Sequence, residues 1–386
     1  MSLWVVVGGQ FGSEGKGKVS AFIAKQEDID ICVRCGGPNS GHSLVDENGK
    51  ATILRQLPTG FVNPRTRLLI PAGALIDPAI LKDELECLGL PPERVGIDRS
   101  CFIIEPKDRQ AELTLGLRER LSSTLCGVGA AQSRRVLRGE DAVLARDVGS
   151  EHSWLRDYLT DVSDEVNDAL DHQRRVLVEG TQGFGLSVYH SEHYPKATSR
   201  DTTAAAFLSE VGLSPRLVTD VVLVFRTFPI RVAGDQAGKL WREMTWDELR
   251  AESGYPSAIK EFTSVTRLPR RIGEFDWELA KRAVRANRPT KIALMGLDYI
   301  DYGSLGITDG SELTHKVKTF LQQFRERLSC PVSYASTSPA LDHIFTMAPV
   351  MRDVSIQSKA SEGSDDGFAR SRETEQYSNL GSRPEG

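Results

Sequence analysis

The chain opens on Leu3-Trp4-Val5-Val6-Val7, a short apolar run rich in β-branched residues that breaks directly into glycines. Such a run fits a strand buried on both faces of a parallel sheet and feeding a loop. Similar runs recur at 29–33, 68–70, 175–178, 218–225 and 291–295, separated by helical stretches at 17–24, 77–88, 276–285 and 313–327. Strands alternating with helices predict an α/β fold with one large, mainly parallel central sheet and helices on both faces. From about Ser355 the sequence turns to Ser, Gly, Asp, Glu and Arg with almost nothing apolar. Such a segment cannot offset its ordering entropy, so 1–354 is expected to fold as a single domain and 355–386 to form a flexible polar tail.

Composition narrows the classes. With 386 residues, 40% hydrophobic and 26% charged, disorder of the whole chain is excluded. A balance of 48 Lys+Arg against 53 Asp+Glu, net charge -5, argues against a general polyanion binder, so no nucleic-acid partner is expected. No run approaches the roughly 18 apolar residues of a membrane span, and the first residues lack the basic flank and cleavage site of a signal peptide. The expectation is a cytoplasmic protein with no membrane partner. Cysteines scattered at 32, 35, 87, 101, 126 and 330 make no disulfide framework. Cys32 and Cys35 lack the second pair a structural zinc site needs, and His190 with His193 reads as part of a polar loop.

The first glycine-rich break is Gly8-Gly9-Gln10-Phe11-Gly12-Ser13-Glu14-Gly15-Lys16-Gly17-Lys18, between a predicted strand and a predicted helix. Backbone N–H groups and the helix dipole favour a bound phosphate there, and Lys16 and Lys18 add charge. The loop is P-loop-like without being a Walker loop, which would need Gly at 10 and Ser or Thr at 17, where the chain has Gln10 and Gly17. A second loop, Arg34-Cys35-Gly36-Gly37-Pro38-Asn39-Ser40-Gly41-His42-Ser43, follows the next strand. Ligands of such sheets sit outside the carboxyl ends of the strands. His42 is therefore a candidate for proton transfer or for stabilising a transferring phosphoryl group.

Together these loops resemble those of the adenylosuccinate synthetase family, which read roughly G-x-Q-[WF]-G-D-E-G-K-G-K and G-G-x-N-A-G-H. The likeness continues in order to about residue 350, through Ser123-Thr124, Gly127-Val128-Gly129, Val178-Glu179-Gly180-Thr181-Gln182-Gly183, Tyr194 to Ser199, Arg231-Val232, Thr266 to Arg271, and Leu297-Asp298. The resemblance implies a carbon–nitrogen ligase that phosphorylates the 6-oxygen of a purine nucleotide and then joins L-aspartate to carbon 6. It assigns catalysis to position 13 with Lys16, His42 and Gln182. It places the donor nucleotide against Gly12, Gly15, Lys16, Gly17, Lys18, Gly41, His42, Ser43, Asp298, Ser336 and Pro339. The acceptor nucleotide falls to Ser13, Asn39, Thr124, Arg138, Gln182, Leu186, Thr198 and Val232, and aspartate to Thr266, Arg267 and Arg270. Magnesium, held mostly through phosphates, takes Ser13 and Gly41, and Arg138 supplied across an interface implies a homodimer.

Ser13 is the main departure from the family pattern. The family has an aspartate there, taken as the base that removes the proton from ring nitrogen 1 of IMP. A serine hydroxyl cannot supply that chemistry. A carboxylate would crowd a purine carrying a 2-amino group, whereas a small hydroxyl can accept a hydrogen bond from it. In this the chain is similar to the phage-type branch, which uses dGMP and aspartate on the route to 2-aminoadenine DNA. Leu268 aligns with an arginine near the ribose and suits a 2′-deoxyribose, although a slip of one position would put Arg267 there instead. The family's T-K-x-D, which selects GTP, becomes Met295-Gly296-Leu297-Asp298, so ATP or dATP is the expected donor rather than GTP. The alternatives are a conventional synthetase acting on IMP with GTP, and a nucleotide-binding regulator that has lost catalysis.

Overall fold

The six apolar runs pair with four further strands into one ten-stranded sheet in the computed structural model, which describes residues 2–263 and 268–348. Its strands are β1 (Ser2–Gly8), β2 (Ile31–Arg34), β3 (Arg67–Ile70), β4 (Val95–Asp98) and β5 (Leu159–Thr160). They continue with β6 (Arg175–Glu179), β7 (Asp220–Arg226), β8 (Lys291–Met295), β9 (Val332–Ser336) and β10 (Ile344–Thr346). The order across the sheet is β10-β9-β8-β7-β1-β6-β2-β3-β4-β5, and every neighbouring pair is parallel except β9 with β10.

Successive side chains of one strand enter different cores, because both faces are covered. In β1, Leu3, Val5 and Val7 join one apolar cluster and Trp4 and Val6 the other. β7 divides in the same way, Leu223 and Phe225 against Val222 and Val224. This is the mainly parallel α/β architecture that the sequence predicts.

Strands β4, β5, β9 and β10 and the helices Pro106–Thr114, Val128–Leu137, Val162–Asp171, Ala204–Val211 and Trp246–Ser253 are elements that the apolar runs do not single out; the other differences lie at element ends. Asp77 and Asp276, read as first residues of helices, instead cap Pro78–Leu88 and Trp277–Asn287, accepting from the first-turn amides. The helix expected over 313–327 spans His315–Leu328. The runs at 29–33 and 218–225 become strands that extend to Arg34 and Arg226, charged ends that the apolar pattern omits. The predicted tail, 355–386, lies outside the described residues. No described helix is long and apolar enough to cross a membrane.

The chain lays β2 to β5 on one side of β1, returns to insert β6 between β1 and β2, and then continues through β7 on the other side. Strand order thus reverses about β1. The loops beyond the carboxyl ends of β1, β2, β6, β7 and β8 border the crevice where open parallel sheets bind ligands.

Candidate active site

Between β1 and the helix Lys16–Gln26 the loop wraps around its own carboxylate. Glu14, buried, accepts from the backbone N–H of Gln10 at 3.1 Å and of Gly12 at 2.9 Å, and from Lys16 Nζ at 2.6 Å. It is an internal acceptor that fixes the loop amides, and sequence reasoning missed it. Ser13 is left-handed (φ 59°), a conformation that a residue with a Cβ adopts only when its surroundings hold it. Arg226 Nη1 contributes by donating to Ser13 O at 3.4 Å. Gln182, just beyond β6, is likewise left-handed (φ 62°).

His42 stands elsewhere than the sequence suggests. It is no loop residue but the buried first residue of a strand, His42–Val45, paired with Ala51–Leu54. A Cβ on Gly17 would lie 2.6 Å from His42 Cβ, so glycine is what lets the helix Lys16–Gln26 pack against the histidine. His42 Nδ1 faces Glu179 Oε1, and Nε2 has no hydrogen-bond partner among the described residues. Glu179, fully buried at the end of β6, also accepts from Thr59 N at 2.9 Å, Thr59 Oγ1 at 2.7 Å and Arg34 Nη1 at 3.2 Å. Burial, reinforced by Arg34, pushes the imidazole down to about 4 against the pull of Glu179. The ring is therefore neutral here, with Nδ1–H donated to the carboxylate and the Nε2 lone pair free.

Ser13 and Gln182 border a cavity of about 420 Å³. Gly12, Asn39, Gly41, Thr124, Leu186, Thr198, Val232 and Arg270 line it with them. The helix Val128–Leu137 starts at this wall, but Glu112 already holds the amides of Gly127 at 3.0 Å and Gly129 at 2.8 Å. Those two amides are therefore already satisfied within the chain. Arg138, at the left-handed end of that helix, is exposed and does not line this cavity.

Arg270 donates through Nε to Phe262 O at 3.0 Å. Beside it Glu261 accepts from Arg226 at 2.5 and 3.2 Å and from the Tyr299 hydroxyl at 3.0 Å. Burial alone would raise the Glu261 carboxyl, but Arg226 and Arg270 outweigh it and hold it at about 2. Leu268 is 52% exposed and does not line the cavity. Thr266 and Arg267 lie outside the described residues.

Of the expected donor residues Lys18 meets Ser336: its Nζ donates to Ser336 Oγ at 2.5 Å and to Ser338 O at 2.8 Å. Burial pushes that ammonium down to about 7, with Asp298 and Asp342 opposing. Asp298 is buried and accepts from the Tyr255 hydroxyl. Gly15, left-handed at φ 101°, precedes the helix, while Ser43 and Pro339 are exposed. Sequence reasoning also missed Arg34, Glu179, Arg226, Glu261 and Tyr255. For Arg34, Glu179 and Arg226 a signal existed: each is a charge closing an otherwise apolar run.

Among the described residues no group of three or more His, Cys, Asp and Glu side chains gathers as a metal site. Cys32 and Cys35 are buried free thiols, both pushed up by burial. His190 stacks on Phe184 with ring centroids 5.4 Å apart.

The description of the adenylosuccinate synthetase family matches residues 5–146 and 141–304 of this chain. The chain belongs to that family. It is therefore a carbon–nitrogen ligase that handles purine nucleotides, and the regulator alternative falls away. The adenylosuccinate synthetase of Thermococcus onnurineus is 43% identical over 349 residues, 89% of this chain and 98% of that one. Among solved structures, the cyanophage S-2L succinoaminodeoxyadenylate synthetase, bound to dGMP and dATP as an energy donor, aligns with a TM-score of 0.76 at 26% identity, covering 89% of this chain and 95% of that one. The fully ligated adenylosuccinate synthetase of Plasmodium falciparum aligns at 0.80 with 20% identity over 90% of this chain and all of that one, which bears on the fold alone.

Proposed function

We propose that this enzyme joins L-aspartate to carbon 6 of dGMP, with ATP or dATP as the phosphate donor. The observation that carries the reading is Ser13, a hydroxyl on the cavity wall where the family has an aspartate. It leaves room for a 2-amino group and offers it an acceptor. The likeness to the cyanophage enzyme, whose structure holds dGMP and dATP, supports both nucleotide choices.

In this reading dGMP fills the cavity, its phosphate at Asn39, Thr124 and Thr198 and its 6-oxygen beside Gln182. Lys16 and the loop amides orient the γ-phosphate of the donor. The 6-oxygen attacks the γ-phosphorus, the bond to the bridging oxygen breaks, and the nucleoside diphosphate leaves. The anionic phosphate of the donor favours the charged imidazole, so the Nε2 lone pair of His42 takes a proton from water. Held through Nδ1 by Glu179, the imidazolium then donates from Nε2 to the charge in transit. The proton of ring nitrogen 1 leaves to water or to the phosphate, since serine cannot take it as a carboxylate would. Arg270, with Thr266 and Arg267, clasps the aspartate carboxylates while the amine adds at carbon 6 and phosphate departs. The Ser13 hydroxyl and the Gly41 carbonyl are hard oxygen donors of the kind magnesium takes, and a bound magnesium would neutralise charge on the donor phosphates. Arg138 completes the phosphate site of a second protomer in a homodimer.

Phosphate release that depends on both dGMP and aspartate is the expected result, and no stimulation by dGMP would sink the reading. The second reading, a conventional synthetase using IMP and GTP, is favoured by the 43% identity to the Thermococcus onnurineus enzyme. Measuring kcat/KM for IMP and for dGMP under one set of conditions separates the two.

A further inference from the structure

Asp298 sits in a single turn, Leu297–Tyr299, that follows β8 through Gly296. Its side chain is buried, and two donors are already directed at the carboxylate, its own backbone N–H and the hydroxyl of Tyr255, which donates to Oδ2. The fold aims that hydroxyl. The helix Trp246–Ser253 ends on the left-handed Gly254, and Tyr255 N donates to Arg250 O at 3.2 Å. The Tyr255 ring then packs on Tyr302 and Tyr299, with centroids 4.8 and 5.9 Å apart.

A carboxylate selects guanine by accepting from ring N1–H and the 2-amino group together, one hydrogen bond on each oxygen. The Tyr255 hydroxyl fixes the orientation of the carboxylate and takes one of the acceptor sites on Oδ2, so a second donor at that oxygen must share it. The single amino donor on the edge of adenine is served by Oδ1 alone, whereas the paired donors of guanine must compete with the hydroxyl at Oδ2. Burial also raises the Asp298 carboxyl to about 6, which makes a second full-strength anionic contact harder to form.

We propose that Tyr255 sets donor specificity: by occupying Asp298 Oδ2 it rejects a guanine donor and leaves the site to ATP or dATP. This rests on the donor reading given under the proposed function. The test measures kcat/KM for ATP, dATP and GTP on the intact enzyme and on Tyr255→Phe, with aspartate and whichever of dGMP and IMP is turned over. The wild type is expected to prefer ATP. Tyr255→Phe, which keeps the ring packing, should raise the ratio of kcat/KM for GTP to that for ATP by about tenfold. The rise in melting temperature given by each donor, measured without turnover, should move the same way. A wild type that prefers GTP overturns the donor reading and this proposal together. A wild type that prefers ATP, with an unchanged ratio in Tyr255→Phe or an equal loss for every donor, overturns the proposal alone.

Discussion

Position 13 shows how much one side chain decides. Ser13 is left-handed in a loop where Glu14 ties the neighbouring amides and Arg226 donates to the Ser13 carbonyl. A carboxylate there would stand on the same wall of the cavity. Ser13→Asp should therefore cut the dGMP-to-IMP ratio of kcat/KM by at least about tenfold, and an unchanged ratio in steady-state assays would refute the 2-amino argument. Glu179 acts through another residue, since it orients His42 and fixes the proton on Nδ1. Glu179→Gln should lower kcat by about a hundredfold with a smaller change in the KM of the donor, whereas Thr59→Val, which removes one hydroxyl bond to Glu179, should lower it less. Circular dichroism on both variants separates this from loss of fold.

At the level of elements, charged residues close apolar strands, and their partners come from distant parts of the chain. Arg226 at the end of β7 meets Glu261 across a sequence gap that no local pattern bridges. The Glu261 carboxyl lies at about 2 in the folded protein, below its ordinary 4.5. The ionised form therefore stabilises the fold above pH 4.5, and that contribution is lost as pH falls towards 2. The upper bound is about 3 kcal/mol, reduced by the 29% exposure of the side chain. Urea midpoints of the wild type should drop more between pH 5 and pH 3 than those of Glu261→Gln, and parallel curves would count against it. Helix ends respond to single caps: Asp276→Ala removes the acceptor for the Glu278 and Leu279 amides and should cost about 1 kcal/mol, read as a lower melting temperature.

At the scale of the whole molecule, Arg138 is exposed and does not line the cavity of its own chain, and Val136 and Leu137 beside it are 66% and 75% exposed. An apolar pair next to an exposed arginine suits a second copy of the chain. If Arg138 serves the neighbouring site, mixing Arg138→Ala with His42→Asn should restore activity that neither has alone. Random exchange of subunits would leave about a quarter of the sites intact. Strictly additive residual activities would show that each site is built within one chain.

The sequence by itself determined six strands of the ten-stranded sheet, because strands buried on both faces are written as continuous apolar runs, and it determined the glycine-rich loop after β1, because glycines and lysines follow a strand in one unbroken segment. It also marked Ser13, Asn39, Thr124, Gln182, Thr198 and Arg270, all of which meet at one cavity wall. Tertiary structure alone decided that His42 is buried in a strand against Glu179, that Glu14 organises the loop, and that Tyr255 reaches Asp298. Each of these is a contact made by polar side chains whose burial depends on what the rest of the chain packs around them. Hydrophobic periodicity records which face a residue turns inward, but not which distant partner it finds there.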